Sequence, residues 1–187
     1  MNSTDFLLSV IDAFGGDVAG RTLLQKRAYF VSLLSGVDPG LRFDAHFYGP
    51  YSPTVDNTLG RLKALGFVNE EDTGFGTAPN GFEIKRYDYK LTDDGASVAS
   101  RIKGSAEYQT IRAAADRIIE AGNPNYITLS IAAKAYFILN KREKGMSRDE
   151  IAAEATKFDW KLSPASLNSA VQFLERLGLV QVGGADR

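Results

Sequence analysis

The sequence predicts a mainly α-helical α+β protein. Three observations lead to this fold class. Apolar residues recur at helical spacing in eight stretches of the 187-residue chain. Alternation of apolar and polar residues is confined to a few short stretches. Glycine, proline or a capping residue separates most of these stretches, and hydrophobic residues make up 44% of the chain, which is enough for a core.

Most predicted elements of the first half have a recognisable start or end signal. Ser52 is expected to cap a helix that has Pro53 at its first position and Gly66 after its last turn. Thr92 is expected to cap another helix with acidic residues in its first turn. The predicted helices are 4–14, 21–35, 53–66 and one that starts at Thr92. A strand is predicted at 43–48. A hairpin is also predicted, with a first strand that begins at 67, a loop tip at 73–81 and a second strand at 82–91.

The second half reads as four more helices and a short final strand. Gly122, Asn123 and Pro124 stop the first of these helices. The predicted elements are helices 106–121, 126–141, 147–157 and 164–177, and a closing strand 178–182.

Two stretches of the chain repeat the same pattern, Leu-x-x-Leu-Gly-apolar-Val. The first runs from Leu62 to Val68 and the second from Leu174 to Val180. Upstream of them, Arg27-Ala-Tyr-Phe matches Lys134-Ala-Tyr-Phe. Between these landmarks stand the Ser-Pro helix starts Ser52-Pro53 and Ser163-Pro164. Landmarks in the same order favour one module used twice. The alternative is that both stretches are ordinary amphipathic helices ended by glycine.

A helix that ends in Leu-x-x-Leu-Gly and turns into a two-stranded hairpin is typical of a winged helix, in which the hairpin is the wing. We therefore expect two tandem winged-helix-like modules, 1–104 with a long wing and 105–187 with a connecting helix and a smaller, truncated module. Leu62, Leu65, Leu174 and Leu177 are expected to be buried. On this basis Leu65→Ala is expected to cost roughly 2–5 kcal/mol.

The turn between the second and third helices carries a family resemblance. The run from Tyr48 to Ser52, Tyr-Gly-Pro-Tyr-Ser, follows Leu24-Gln25-Lys26. It resembles the bacterial YwgA-like proteins, which combine a Leu-Gln-Lys helix, a Tyr-Gly-Pro-(Tyr/Phe)-Ser turn and a second helical module. It is more distantly similar to the SocA-like (Panacea) antitoxin domain. The run Leu91-Thr-Asp-Asp-Gly95 is similar to the wing exit of MarR- and PadR-type regulators. The resemblance implies regulation or interaction and no catalytic residues.

Composition argues against catalysis. The chain has no cysteine and one histidine, His46, so it lacks the residues of common metal sites and of nucleophile–histidine pairs. Glycine spacing of a phosphate-binding loop is absent from the sequence. We expect no cofactor, no metal and no enzymatic activity. The N-terminal sequence does not read as a signal peptide and no apolar run reaches about 20 residues, so a cytoplasmic protein without membrane contact is expected.

Two sets of polar side chains are candidates for nucleic-acid binding. The helix 53–66 is the expected recognition helix, and the hairpin strand would follow the phosphate backbone. The alternatives are an ordinary solvated helix face and a strand edge kept from aggregating by its charges. The candidates are Thr54, Asn57, Thr58, Arg61 and Lys63 on the helix, and Lys85, Arg86 and Tyr87 on the strand.

The Gly-Pro turn supplies a third candidate site. Tyr48, Pro50 and Tyr51 form a compact group that would suit docking of a partner. The structural alternative is that Gly49 and Pro50 only make a tight turn before the helix that starts at Ser52.

Two functions follow from these features. One is a non-catalytic regulator that binds double-stranded DNA, as a homodimer with helix 106–121 at its contact. The other is a protein-interaction module of antitoxin or adaptor type that binds no nucleic acid. Net charge is −1, with −2 over residues 1–104 and +1 over 105–187, which favours the second. Salt-dependent binding to duplex DNA separates the two.

Overall fold

The computed structural model describes residues 1–77, 83–142 and 145–181. Within them the chain is mainly helical with one small antiparallel sheet, so the expected α+β class is confirmed. The helices are α1 (Ser3–Ala13), α2 (Arg21–Ser35), α3 (Pro53–Ala64), α4 (Asp93–Ile102), α5 (Ala106–Glu120), α6 (Tyr126–Asn140), α7 (Arg148–Ala155), a 3₁₀ turn Thr156–Phe158, and α8 (Pro164–Arg176). The strands are β1 (Asp17–Val18), β2 (Val68–Thr77) and β3 (Glu83–Leu91).

The three strands form an antiparallel sheet in the order β1-β3-β2. Val18 lies opposite Tyr89, and Val68 lies opposite Leu91. Strand β2 continues to Thr77, so the loop predicted from 73 was wrong over 73–77, and its remainder, 78–81, lies outside the described residues. Strand β1 was not predicted, because two residues are too few to show alternation.

Two predicted strands are wrong. Residues 43–48 form no strand; only an isolated bridge joins Asp44 to Tyr51. Residues 178–181 are also not a strand, and residue 182 lies outside the described part of the chain. In both cases the local sequence pattern resembles a strand, but no strand among the described residues lies beside it to pair with.

The chain divides into two compact units. The first comprises residues 1–42 and 52–116, and the second comprises 43–51 and 117–187. Segment 43–51 therefore belongs to a different unit from the helices that flank it in sequence. The expected modules, 1–104 and 105–187, were defined by fold type, and that boundary stays a prediction.

The core of the first unit lies among α1, α2, α3 and the sheet. Helix α1 is apolar on most sides and is almost entirely buried, as expected for a central helix. The largest buried side chains there include Phe6, Leu7, Leu8, Ile11, Leu24, Phe30, Leu62 and Tyr89. Helix α5 also turns apolar residues inward: Ile111, Ala115 and Ile118 are buried within the chain. The use of α5 as a dimer contact stays a prediction.

The repeated Leu-x-x-Leu-Gly pattern produces the same backbone geometry twice. After α3, the amide of Gly66 donates to the Lys63 carbonyl and that of Phe67 to the Leu62 carbonyl. After α8, Gly178 donates to Glu175 and Leu179 to Leu174. Both glycines are left-handed, with φ of +72° and +68°. Each helix thus ends in a Schellman motif, which explains why a glycine follows the second leucine.

The correspondence extends to the first helix of each half. After α1, the amides of Gly15 and Gly16 bond back to Asp12 and Ile11, and after α5 those of Gly122 and Asn123 bond back to Ile119 and Ile118. Gly15 and Gly122 are 107 positions apart, and the same spacing separates Arg27 on α2 from Lys134 on α6. The matching helix ends and the shared spacing at these two points support the duplication; the later landmarks Ser52/Ser163 and Gly66/Gly178 are 111 and 112 positions apart.

The four pattern leucines differ in burial. Leu62, Leu174 and Leu177 are buried, but Leu65 is 54% exposed, so its expected burial was wrong. Leu65 is the C-cap residue of α3, where the chain is already turning towards β2 at Gly66, and its side chain lies off the apolar face.

Leu62→Ala and Leu65→Ala therefore form a matched pair. Removing the fully buried Leu62 side chain should lower the free energy of unfolding by roughly 2–5 kcal/mol. Removing the exposed Leu65 side chain should lower it by less than about 1 kcal/mol. Urea denaturation of the two variants measures both values, and equal losses would contradict the observed burial.

Candidate functional site

A buried side chain on α2 holds the start of α3. Gln25 Nε2 donates to the carbonyl of Ser52, and the Ser52 amide donates to Gln25 Oε1, both at 3.0 Å. Gln25 is 2% exposed and Ser52 is fully buried. A primary amide has one donor and one acceptor side by side, so it satisfies both backbone groups of Ser52 at once. This pair, which we call the Gln25 clamp, fixes the backbone where the Gly-Pro turn enters α3.

The clamp replaces the helix cap that was expected from the Ser52 hydroxyl. Ser52 occupies the N-cap position with an extended backbone, but its side chain forms no capping bond. Its hydroxyl is buried and has no hydrogen-bond partner within the described residues. Ser163, at the matching Ser-Pro start of α8, does cap its helix through Ser166. Ser52 is at the predicted N-cap position, but the predicted capping bond from its hydroxyl is wrong.

Segment 43–51 forms a closed loop. Asp44 and Tyr51 exchange two backbone hydrogen bonds, of 3.0 and 2.9 Å, and the Gly49 amide donates to the His46 carbonyl at 2.8 Å. Gly49 has a φ of +94°, a backbone conformation that favours glycine. These bonds hold the loop in one conformation without any sheet.

The loop packs closely against α6 and Trp160. The buried Trp160 indole donates from Nε1 to the His46 carbonyl at 2.7 Å. Gly49 lies against α6: a methyl group at this position would lie 3.0 Å from Lys134 Cγ and 3.3 Å from the Ser130 carbonyl. Gly49 is therefore needed both for its φ and for its close approach to the helix.

Two aromatic side chains just before Gly49 point to solvent. Phe47 is 68% exposed and Tyr48 is 52% exposed, and their rings pack edge to face at 4.9 Å. Tyr126 and Ile127, also exposed, lie one turn before Ser130 on α6. We call these four residues the aromatic patch. All of them belong to the second unit.

The three predicted docking residues have different environments. Tyr48 is in the aromatic patch. Pro50 is buried, so its assignment to a docking surface was wrong, because the turn folds the proline inward. Tyr51 is half-buried and its ring lies 5.0 Å from that of His46. Phe47, the most exposed apolar residue of the loop, was missed; the adjacent Phe-Tyr pair directly before the Gly-Pro turn was the available signal.

The predicted recognition helix exposes only part of its candidate set. Asn57 and Arg61 are exposed and Thr54 is half-buried. Thr58 is 2% exposed and its hydroxyl donates to Ser3 Oγ, so its assignment to a nucleic-acid surface was wrong: it lies on the face that packs against α1. Lys63 forms a 2.7 Å ion pair with Glu70 of β2, and this hydrogen bond lowers the pKa of the Glu70 carboxyl.

On the hairpin, Arg86 also forms an ion pair with an acidic residue. Arg86 donates to both carboxylate oxygens of Asp88, at 2.6 and 2.7 Å, and these bonds lower the pKa of Asp88. Tyr87 is 43% exposed. The side chain of Lys85 lies outside the described part of the structure. On α2, Arg21 lies 3.4 Å from Asp56 of α3. Carboxylates of the chain thus pair with Lys63, Arg86 and Arg21 and reduce the positive charge that these three side chains contribute.

Among residues 1–77, 83–142 and 145–181, no group of three His, Cys, Asp or Glu side chains is arranged to hold a metal ion. No helix within the same ranges has the length and apolar character required to cross a membrane.

Comparison with models of known protein families finds none that matches the chain. Comparison with curated proteins likewise finds no match.

The Gln25 clamp can be tested with Gln25→Leu and Ser52→Ala. Gln25→Leu keeps the volume but leaves buried backbone groups of Ser52 without this partner, so the free energy of unfolding should fall by about 2–4 kcal/mol. Ser52→Ala removes only a hydroxyl that makes no hydrogen bond within the described residues, and the change should stay below about 1 kcal/mol. Chemical denaturation measures both, and a larger loss for Ser52→Ala would show that its hydroxyl, not the clamp, holds this junction.

Proposed function

We propose that this chain is a non-catalytic regulatory protein of antitoxin or adaptor type, which acts by binding a segment of a protein partner. The observation that carries the proposal is the aromatic patch. Phe47 and Tyr48 are exposed on a loop whose backbone is closed by Asp44–Tyr51, joined to Trp160 and packed on α6. A restrained loop loses little conformational entropy on binding, so its aromatic rings are suited to be interaction anchors.

The size of the patch indicates the kind of partner. Aromatic side chains bury 150–250 Å² each, so the exposed parts of these four residues amount to roughly 400 Å². An apolar patch of this size on a monomer is commonly functional. A stable dimer buries about 800 Å² on each partner, which is about twice the patch. A short segment of another protein therefore fits better than a second copy of this chain.

The order of elements supports a winged-helix framework for the first unit. The chain runs α1-β1-α2-α3-β2-β3 and the sheet order is β1-β3-β2, which is the arrangement of a winged helix. The matching helix ends and the ordered landmarks, which are 107 to 112 positions apart, support a second, related module. Winged helices serve both DNA binding and protein binding, so the framework alone does not select a function.

Duplex DNA is the second candidate ligand, and the winged-helix order together with exposed Asn57 and Arg61 on α3 favours it. Against it stand the ion pairs of Lys63 and Arg86, since each would have to open before its cation could contact a phosphate. With a net charge of −1 the chain gains little from counterion release. Protein binding is the better supported function.

The test uses peptides selected on the purified chain from a random twelve-residue library displayed on phage. We expect selected peptides to bind the wild-type chain and to lose at least about tenfold in affinity to the double variant Phe47→Ser with Tyr48→Ser, because the anchors are gone. The matched control is Leu65→Ser with Tyr87→Ser, which removes two exposed apolar side chains outside the patch and should leave affinity within about twofold.

Duplex DNA of random sequence is titrated in parallel at low salt. The proposal expects no binding, and expects Arg61→Ala to leave peptide affinity unchanged. Binding to DNA that weakens steeply with salt and with Arg61→Ala, together with no peptide that depends on Phe47 and Tyr48, would overturn the proposal in favour of the DNA-binding regulator.

A further inference from the structure

We propose that Lys134 determines the specificity of the aromatic patch by pairing with a carboxylate of the bound segment, so that the partner presents an acidic residue close to its apolar anchor. This inference rests on the proposed function and names the chemistry of the partner.

Lys134 is a half-buried cation beside the patch. Its stem runs along Gly49, with Cγ and Cε within 3.0 and 3.6 Å of a methyl group built there. Its ammonium lies 5.4 Å from the centre of the Trp160 ring, within the range of a cation–π contact. Burial lowers the pKa of Lys134. The ammonium has therefore given up part of its hydration while remaining next to the surface of the loop.

No described residue supplies a carboxylate to Lys134. Other cations described here, such as Lys63, Arg86 and Arg142, each have an acidic partner within 2.8 Å. A partly desolvated ammonium without a counter-charge gains more from an incoming carboxylate than a fully solvated surface lysine does, because the interaction takes place at lower dielectric. The site is thus electrostatically complementary to an anionic group.

The repeat shows how the first module satisfies the corresponding cation. Arg27, 107 positions before Lys134, lies 4.1 Å above the ring of Phe14 and donates to the Asp17 carbonyl at 3.5 Å. The Asp17 carboxylate also favours the charged form of Arg27, opposing the lowering of its pKa by burial. Both modules therefore place a cation over an aromatic ring, and the first adds an acid from its own chain.

The second module lacks that internal acid. At the same spacing of 107, Pro124 stands in place of Asp17 and Ala121 in place of Phe14. Trp160, from after α7, takes the role of the ring, but no acidic side chain in the described residues replaces Asp17. We infer that the partner supplies to Lys134 the carboxylate that Asp17 supplies to Arg27 in the first module.

The helix also gives the expected spacing in the partner. Lys134 lies seven residues after Ile127 on the same face of α6, which is about 10 Å along the axis. An extended segment covers this distance in about three residues. The partner segment should therefore carry an acidic residue about three positions from its apolar anchor.

The experiment compares peptides selected from the same phage library on the wild-type chain, on Lys134→Gln and on the charge-retaining control Lys134→Arg. Peptides selected on the wild type and on Lys134→Arg should be enriched in Asp or Glu about three positions from an aromatic or aliphatic residue. Peptides selected on Lys134→Gln should lack this enrichment.

A double-mutant cycle then tests the pairing directly. Changing the enriched acid of a selected peptide to its amide should weaken binding to the wild-type chain by about tenfold and to Lys134→Gln by less than twofold. Equal losses on both chains, or selected peptides that depend on Phe47 and Tyr48 but show no acidic preference, would overturn this inference and leave the proposed function standing. If no selected peptide depends on the patch, both proposals fail.

The pairing can still be tested if Lys134→Gln is unstable. If Lys134→Gln does not fold, the acidic peptide and its amide are compared on the wild-type chain and on Lys134→Arg. Equal affinity of the two peptides for both chains would then contradict the inference, and a tenfold preference for the acidic peptide on both would support it.

Discussion

The two hydrogen bonds between Gln25 and Ser52 are the constraint on which the start of α3 depends. They join a buried side chain of α2 to the backbone at the point where the Gly-Pro turn ends and α3 begins. Two motifs that are distant in sequence, Leu-Gln-Lys and Gly-Pro-Tyr-Ser, are thereby the two halves of one interaction. Buried backbone groups need partners, and a primary amide provides both of them in a single side chain. The backbone at the first residue before α3 is fixed by this contact.

The loop of residues 43–51 has restraints of its own. The Trp160 indole donates to the His46 carbonyl, and a methyl group at Gly49 would lie 3.0 Å from Lys134 Cγ and 3.3 Å from the Ser130 carbonyl. Holding Phe47 and Tyr48 in water leaves apolar area exposed that folding would otherwise bury, which lowers stability. Several independent contacts keep Phe47 and Tyr48 exposed in spite of this loss of stability. Such an arrangement is expected where exposure serves binding, and it agrees with the proposal that the patch is an interaction surface.

Much of the fold could be predicted from local signals. Helix α2 has the predicted bounds, 21–35, and Thr92 caps α4 by accepting from Gly95, because helix starts and stops depend on nearby residues. Segment 43–51 could not be predicted, since its alternation resembles a strand while its partners, Trp160 and α6, lie about a hundred residues away. The burial of Thr58 and the pairing of Lys63 with Glu70 could not be predicted for the same reason, since both arise from contacts with residues of other elements.

The emission of Trp160 in Gly49→Ala and Gly40→Ala tests directly whether the loop that carries the aromatic patch is held on α6 and Trp160. Both glycines have positive φ, +94° and +74°, so alanine introduces similar backbone strain at each. Only the methyl group at Gly49 meets other atoms within 4 Å in a crowded contact; at Gly40 nothing lies within that distance. Trp160 is the only tryptophan of the chain, so the emission reports on the surroundings of this residue, which include the loop. The account predicts a red-shifted emission for Gly49→Ala, as the loop lifts from the indole, and wild-type emission for Gly40→Ala. Wild-type emission in both variants would contradict it.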